Sequence, residues 1–338
     1  MPLSDFDFPF DPTLVADRPI EPRDQARLLV LPRGGGVCAH HRVADLPSFL
    51  RSGDLLVVND TKVMAARLRG RKRPGGGSVE LLLVKDLGGG TWEVMLRGRV
   101  GRGQVIELAR GASATVVERA RERTLLKIQS GCPVPDLIRD VGLMPLPPYI
   151  KRAPNESDRV WYQSLFARAE GAVAAPTASL HFTPELVAAL RDRGVRLATV
   201  TLHVGPGSFR PVSTARVEDH RMTPEWFDVP AETVRTIRQV RAEGGRVVAI
   251  GTTVVRSLEA AASEDLIQPT KGETGLFIVP GYRFKVVDGL MTNFHLPRTT
   301  LLMLVAAFVG LEPLREAYRE AIGARYRFYS YGDAMLIL

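Results

Sequence analysis

The sequence predicts a layered α/β fold carrying a small closed β-barrel of about six strands as an insertion, and two patterns carry that prediction. Six short strand-like runs follow one another at 67–72, 79–84, 92–97, 104–108, 114–118 and 124–129, separated by glycine-rich turns and with no helical segment between them. Short strands at near-regular spacing are most economically closed into a barrel, which leaves no exposed edge. Elsewhere apolar strand-like runs alternate with helical ones, as in a sheet covered by helices. A buried-strand pattern already stands ahead of the barrel at 54–60, so the α/β unit reads as discontinuous, 1–63 and 150–338, with 64–149 inserted.

The elements follow in order. Leu55, Leu56, Val57 and Val58 form an apolar run ending in Asn59 and Asp60, as a buried strand delivering polar residues to a site would. After the barrel, Pro145, Pro147 and Pro148 can continue neither a helix nor a central strand and predict a linker or rigid wall. Thr183 followed by Pro184 is a helix start, and Gly194 its stop. A β-branched strand is expected over 195–204, an amphipathic helix over 230–243, a buried strand over 246–250 and a helix from Gly251 to about Ala262. Strands at 275–279 and 284–287 and helices at 298–309 and 313–324 complete the pattern.

Composition narrows the function classes. With 45% hydrophobic and 24% charged residues among 338, the chain is an ordinary folded globular protein. Lys and Arg outnumber Asp and Glu by 45 to 37, which makes an anionic partner worth seeking. The apolar run 301–310 is shorter than the roughly 20 residues a bilayer span needs. The acidic start of the chain lacks the features of a signal peptide, so no membrane and a cytoplasmic location are expected. Cys38 and Cys132 stand far apart without metal-ligand spacing, and no metal site is expected.

The candidate chemistry lies at element boundaries. His181, His203 and His295 each sit among small or hydroxyl-bearing residues where a scaffold positions function, and imidazole moves protons near neutral pH. A histidine in such a place also serves as a cap for a backbone carbonyl. Gly251, Thr252, Thr253 and Arg256 join a strand to a helix, whose N-terminal amides suit a carboxylate or phosphate; simple threonine capping is the competing reading. Gly205 and Gly207 let backbone approach a ligand closely, or form a tight turn. Arg67, Arg69, Arg71 and Lys72 on one strand, with Lys151 and Arg152 after the proline segment, suit phosphate contacts or an ordinary solvated edge. In the Tyr329-Ser330-Tyr331-Gly332-Asp333 run, rings offer stacking and Asp333 a proton acceptor; a closing edge strand packed by aromatics is the alternative.

Seven segments, at 3–8, 54–63, 145–150, 175–183, 201–209, 291–297 and 329–335, together resemble the S-adenosylmethionine:tRNA ribosyltransferase-isomerase family of queuosine biosynthesis. Ser179 stands where that pattern has glycine, and Ser208 where it has threonine. The resemblance implies an α/β domain with an inserted six-stranded barrel. It implies S-adenosylmethionine as a ribosyl donor and cosubstrate. The acceptor is the aminomethyl nitrogen of a deazaguanine at the tRNA wobble position, and the products are epoxyqueuosine-tRNA, adenine and methionine. Such chemistry needs a base for the ribose proton beside the sulfonium, help for the departing adenine and a neutral attacking amine, but no metal.

On that basis His181 is the leading proton-handling residue, with His203 and Asp60 as rivals and His295 and Asp333 behind them. Gly205, Gly207, Thr252, Thr253 and Arg256 are expected to hold the donor, and Arg67, Arg69, Arg71, Lys72, Lys151 and Arg152 the tRNA. A monomer is expected. A non-catalytic RNA-binding protein and an S-adenosylmethionine-dependent RNA methyltransferase are the alternatives; the chain lacks the glycine-rich first βα loop of a common methyltransferase.

Overall fold

A computed structural model of the chain describes residues 1–120, 123–205, 212–264 and 266–338. Strands β1 (Arg27–Leu31) and β2 (Ala39–Arg42) precede a single helical turn, α1 (Leu46–Phe49), the fully buried β3 (Leu55–Asn59) and the short β4 (Thr61–Val63). The barrel follows as β5 (Arg67–Arg73), β6 (Ser78–Asp86), β7 (Thr91–Arg97), β8 (Val105–Glu107), β9 (Ser113–Arg119) and β10 (Thr124–Gln129). Its strands close in the order β10-β7-β6-β5-β8-β9. Alternating residues such as Leu81, Leu83, Val94, Val116 and Leu126 fill the interior, as a period of two requires. Gly70 is needed there, since a Cβ would lie 2.5 Å from Ile106 Cγ2 and 2.6 Å from the Glu107 carbonyl oxygen.

Helix α2 (Val134–Val141) adds Val134, Leu137 and Ile138 to the barrel core. Beyond it come α3 (Asp158–Trp161), β11 (Ala169–Ala172) and α4 (Pro184–Asp192), whose Thr183 cap accepts a hydrogen bond from the Leu186 amide at 3.1 Å. Next are β12 (Arg196–Leu202), β13 (Glu225–Val229), α5 (Ala231–Ala242), β14 (Val247–Ile250) and α6 (Thr252–Ala260). The small pair β15 (Ala262–Ser263) and β16 (Leu266–Ile267) leads to β17 (Thr270–Thr274), β18 (Gly289–Asn293), α7 (Thr300–Val309), α8 (Leu311–Gly323) and β19 (Ala334–Ile337). Among the described residues no helix is long and apolar enough to cross a membrane.

One nine-stranded sheet runs β17-β13-β12-β3-β14-β18-β19-β1-β2. Its four central strands, β12, β3, β14 and β18, are parallel, while β19 runs antiparallel to β18 and parallel to β1. The carboxyl ends of the central four therefore share one edge with the amino ends of β19 and β1. Each face of the sheet carries its own apolar core, and the β3 side chains alternate between them. The barrel interrupts the chain between β3 and β12, two neighbours in this sheet.

Three expectations are corrected. The runs 275–279 and 284–287 are not strands; the strands of that region are β17 and β18, on either side of them. At 284–287 the reason is Glu259, a buried residue whose carboxylate accepts the amides of Lys285, Val286 and Val287 at 2.9, 3.0 and 3.1 Å. A side chain there replaces the neighbouring strand that apolar backbone otherwise needs. Likewise the aromatic C-terminal run does not close an edge: β19 lies between β18 and β1, buried throughout.

Candidate active site at the carboxyl edge of the sheet

The sheet brings most of the candidate residues to one edge. Asp60 follows β3, His203 follows β12, Gly251 to Thr253 follow β14, His295 follows β18, and Asp333 precedes β19. Open α/β sheets place their ligands outside the carboxyl ends of their strands. A cavity of about 80 Å³ opens there, walled by Ala175 to Ala178, Gly251 to Thr253, Arg256, Thr292 to Leu296, Thr299, Tyr149, Tyr329 and Ser330.

Asn59 fixes this edge. Its Nδ2 donates to the Leu202 carbonyl at 3.0 Å and to Thr253 Oγ1 at 3.2 Å, and its Oδ1 accepts the amides of Thr61 at 3.0 Å and Leu202 at 3.1 Å. Both ends of the amide are thereby satisfied, and β3, β12 and the first turn of α6 are tied together. At the cap of α6, Gly251 adopts φ +99°, a conformation that favours glycine, and a Cβ there would press on Ala178 at 3.4 Å. Ser179 has an ordinary backbone conformation inside a short 3₁₀ turn, its Oγ donating to the Pro176 carbonyl at 2.8 Å, so serine suits the place where the family pattern has glycine.

The three histidines occupy different surroundings. His295 walls the cavity, its Nε2 sharing a hydrogen bond of 3.0 Å with Thr292 Oγ1 and its amide donating to Tyr318 Oη at 2.8 Å. Burial pushes its pKa down to about 3. His181 lies a layer away, beside Arg23, Arg327 and Ser330, and Ser330 also walls the cavity. Burial lowers its pKa to about 4, against the pull of Asp333 and of hydrogen bonding with the Asn293 side chain and the Arg23 backbone. His203 faces a separate cleft of about 750 Å³ between the barrel and the sheet. Its ring stacks on Trp226 at 4.8 Å, its Nδ1 shares a 2.8 Å hydrogen bond with Thr61 Oγ1, and burial lowers its pKa. Gly171 makes room for that ring, since a Cβ would lie 2.6 Å from Nε2.

Several candidates hold the scaffold. Asp60 Oδ1 accepts from Thr201 Oγ1 at 2.6 Å, and Oδ2 from Arg168 at 2.8 Å. Asp333 binds the amides of Arg27 at 3.1 Å and Arg327 at 2.8 Å as well as both guanidinium groups, and so pins β19 to its surroundings. Arg256 forms a buried ion pair with Glu225 and also donates to the Leu276 and Thr274 carbonyls at 3.1 and 3.4 Å. Glu225 in turn accepts the Gly205 amide at 2.8 Å. Gly205 therefore lies in the His203 cleft, while Gly207 and Ser208 fall outside the described residues. Thr252 and Thr253 remain at the cavity itself.

The basic candidates divide in the same way. A second cleft, of about 1000 Å³, runs between the barrel and the proline segment and is walled by Arg67, Arg69, Arg97, Arg119, Arg123, Lys151, Arg152 and Pro145 to Pro148. Arg152 is held by the buried Asp158 at 2.6 and 2.7 Å, and Arg67 donates to the Leu146 carbonyl at 2.8 Å and pairs with Glu80 at 3.4 Å. Arg69 and Lys151 carry no ion pair among the described residues. Arg71 and Lys72 lie farther along β5, outside the cleft lining.

Sequence reasoning passed over Asn293, Tyr149 and Trp226. Asn293 is the last residue of β18, and placing the strand at 284–287 hid its position at the sheet edge. Among the described residues no group of three or more His, Cys, Asp or Glu side chains is placed to hold a metal ion.

Comparison with known proteins agrees from end to end. The S-adenosylmethionine:tRNA ribosyltransferase-isomerases of Moorella thermoacetica and Thermotoga maritima are each 49% identical to this chain, over 345 and 342 residues, with both chains covered completely. That of Xylella fastidiosa is 50% identical over 338 residues, covering 99% of this chain and 96% of its own. A crystal structure of S-adenosylmethionine tRNA ribosyltransferase from Thermotoga maritima superposes with a TM-score of 0.58 at 40% identity, over 99% of this chain and 100% of that one. The profile of the queuosine biosynthesis protein family matches residues 3–337, and with the relatives alike over their whole length, the chain belongs to that family.

Proposed function

We propose that the protein transfers and isomerises the ribosyl group of S-adenosylmethionine onto the aminomethyl-deazaguanine at the wobble position of a tRNA, giving epoxyqueuosine-tRNA, adenine and methionine. The observation that carries this reading is the end-to-end likeness to enzymes of that name, in a chain whose motif residues converge on one sheet edge. S-adenosylmethionine is the cosubstrate, and no step requires a metal. The working form is a cytoplasmic monomer.

In this reading the cavity at the ends of β14 and β18 takes the donor, with Thr252 and Thr253 at the amino end of α6. The tRNA lies along the inserted unit, 64–149, where Arg69 and the nearby Lys151 offer cations to its phosphates. His181 is our candidate for the group that takes the proton from the ribose carbon beside the sulfonium. It is neutral at working pH, and it stands next to Ser330 on the cavity wall. His295, already at the wall, is the candidate to assist the departing adenine. Asp60 and Asp333 act through the residues they position. His181→Ala is expected to lower kcat by about 10²- to 10⁴-fold, the usual worth of a general base.

The decisive experiment incubates the protein with S-adenosylmethionine and a tRNA bearing the aminomethyl-deazaguanine. Adenine and methionine should appear in step with an epoxycyclopentyl nucleoside. Release of S-adenosylhomocysteine would instead identify a methyltransferase, and tRNA binding without consumption of the donor a non-catalytic RNA-binding protein.

A further inference from the structure

Three spaces meet at one backbone contact, where the Val173 amide donates to the Val204 carbonyl at 3.2 Å. Val173 walls both the basic cleft of about 1000 Å³ and the His203 cleft of about 750 Å³. Val204 walls the His203 cleft and the donor cavity of about 80 Å³. Among the described residues Glu80 is the one carboxylate that lines the basic cleft. The His203 cleft carries charges of both signs, with Lys62 paired to Glu170 at 2.7 Å and Lys85 to Glu273 at 3.2 Å. The phosphates of a nucleic acid therefore favour the basic cleft. A base of the same strand, reaching past Val173, enters the His203 cleft, whose volume is within the roughly 300–1000 Å³ of small-molecule sites.

His203 stands at this junction, next in sequence to Val204. Trp226 covers one face of its ring, with 4.8 Å between centroids and 16° between planes. A Cβ on Gly171 would lie 2.6, 2.8 and 2.8 Å from Nε2, Cδ2 and Cε1. Distances so nearly equal put that point above the ring rather than in line with Nε2, so Gly171 packs on a face and leaves the edge clear. Nδ1 is engaged by Thr61 Oγ1 at 2.8 Å, and Nε2 has no hydrogen-bond partner among the described residues. In the tautomer in which Nδ1 donates to Thr61, Nε2 holds the free lone pair. Burial lowers the pKa of the ring, which keeps it neutral at working pH, and the Asp60 carboxylate works the other way by favouring the imidazolium once it forms.

The proposed reaction has a proton that none of the residues assigned above removes. It turns a primary amine into a secondary one, so one proton must leave the acceptor nitrogen as the new bond to carbon forms. His295 lines the donor cavity and His181 lies behind it, and neither lines the cleft that the acceptor base would enter.

We propose that His203 is the general base for the acceptor amine, at the point where the phosphate cleft, the base cleft and the donor cavity adjoin. The nitrogen lone pair makes the bond to the ribosyl carbon. An N–H bond of the same nitrogen breaks, its electron pair stays on nitrogen, and its proton passes to His203 Nε2. The imidazolium then releases that proton to water in the cleft. Thr61 is a positioning residue that holds Nδ1 and so turns Nε2 toward the amine. The assignment rests on the ribosyl-transfer reading and adds to it the residue that serves the tRNA side of the reaction.

The test is turnover of His203→Ala with S-adenosylmethionine and a tRNA bearing the aminomethyl-deazaguanine. The affinity for tRNA and the KM for the donor should stay at wild-type values while kcat falls about 10²- to 10⁴-fold. Added imidazoles should restore part of the rate, and more of it the higher their pKa, as a base does and a space-filler does not. With a donor deuterated at the carbon beside the sulfonium, the isotope effect on kcat in the variant should be near unity, because the slow step is then on the acceptor. Thr61→Val keeps the shape of its side chain and carries the test if His203→Ala does not fold. It should lower kcat about tenfold with unchanged affinities, the worth of one orienting hydrogen bond. A large isotope effect in His203→Ala would move the residue to the ribose proton and overturn the assignment. So would a wild-type kcat in either variant, a lost rate that no imidazole restores, or a loss of tRNA affinity that accounts for the whole fall in rate. Absence of any adenine release by the wild-type protein would overturn the reading of the reaction itself.

Discussion

Protonating His181 inside the folded chain is opposed by burial, which holds its pKa near 4 against an ordinary 6.5. The unfolded chain therefore binds a proton that the native chain refuses as pH falls below about 6.5, so stability is complete above that pH and is lost toward pH 4. Between pH 7 and pH 5 the group accounts for about 2 kcal/mol of that loss. Denaturant titrations of His181→Gln should show a correspondingly shallower dependence over this range. Arg256 gives a different prediction. Removing one partner of a buried ion pair strands the other, at a cost of about 3–5 kcal/mol. Arg256→Met should thus lower the denaturation midpoint, with activity following the folded fraction. At this scale the sequence disclosed where His295 and Thr253 would lie, since boundary positions and residue types mark them. It did not disclose that Arg256 and Asp333 are engaged by their neighbours, because Glu225 and Arg27 are brought to them only by the tertiary fold.

Helix starts were the most legible elements. Thr183 and Pro184 mark one through local chemistry alone, and the structure begins α4 there. The strands after α6 were less legible because apolar residues at 284–287 satisfy their amides on Glu259, a partner that periodicity does not register. The turn between β14 and α6 carries an element-scale prediction. Gly251→Ala forces a side chain into φ +99°, a strain of about 1–3 kcal/mol, and displaces the first turn of α6. The KM for S-adenosylmethionine should rise more than kcat falls, as initial-rate kinetics would show.

For the whole molecule, the net charge of +8 says less than its placement. Arg69 and Lys151 stand on opposing walls of the cleft between the barrel and the proline segment, whereas Arg67 and Arg152 are engaged by neighbours. Arg69→Glu should weaken tRNA binding and reduce the slope of log affinity against log salt by about 0.7–0.9 for each phosphate left without its cation. An unchanged slope in salt-dependent binding titrations would remove Arg69 from the interface. The division into a barrel and an α/β sheet was readable because each has its own period. The grouping of distant motifs was not, since it depends on strand order.

That strand order also sets a timetable. The barrel is built from strands close together in the chain and can form its pairings while later residues are still being added. The large sheet has no such freedom. Its β19 is an interior strand between β18 and β1, so the segment that carries Tyr329 and Ser330 to the cavity wall is held in place only after residue 337 has been made. A growing chain can therefore complete its barrel before its sheet, and the edge that carries the candidate site is closed last.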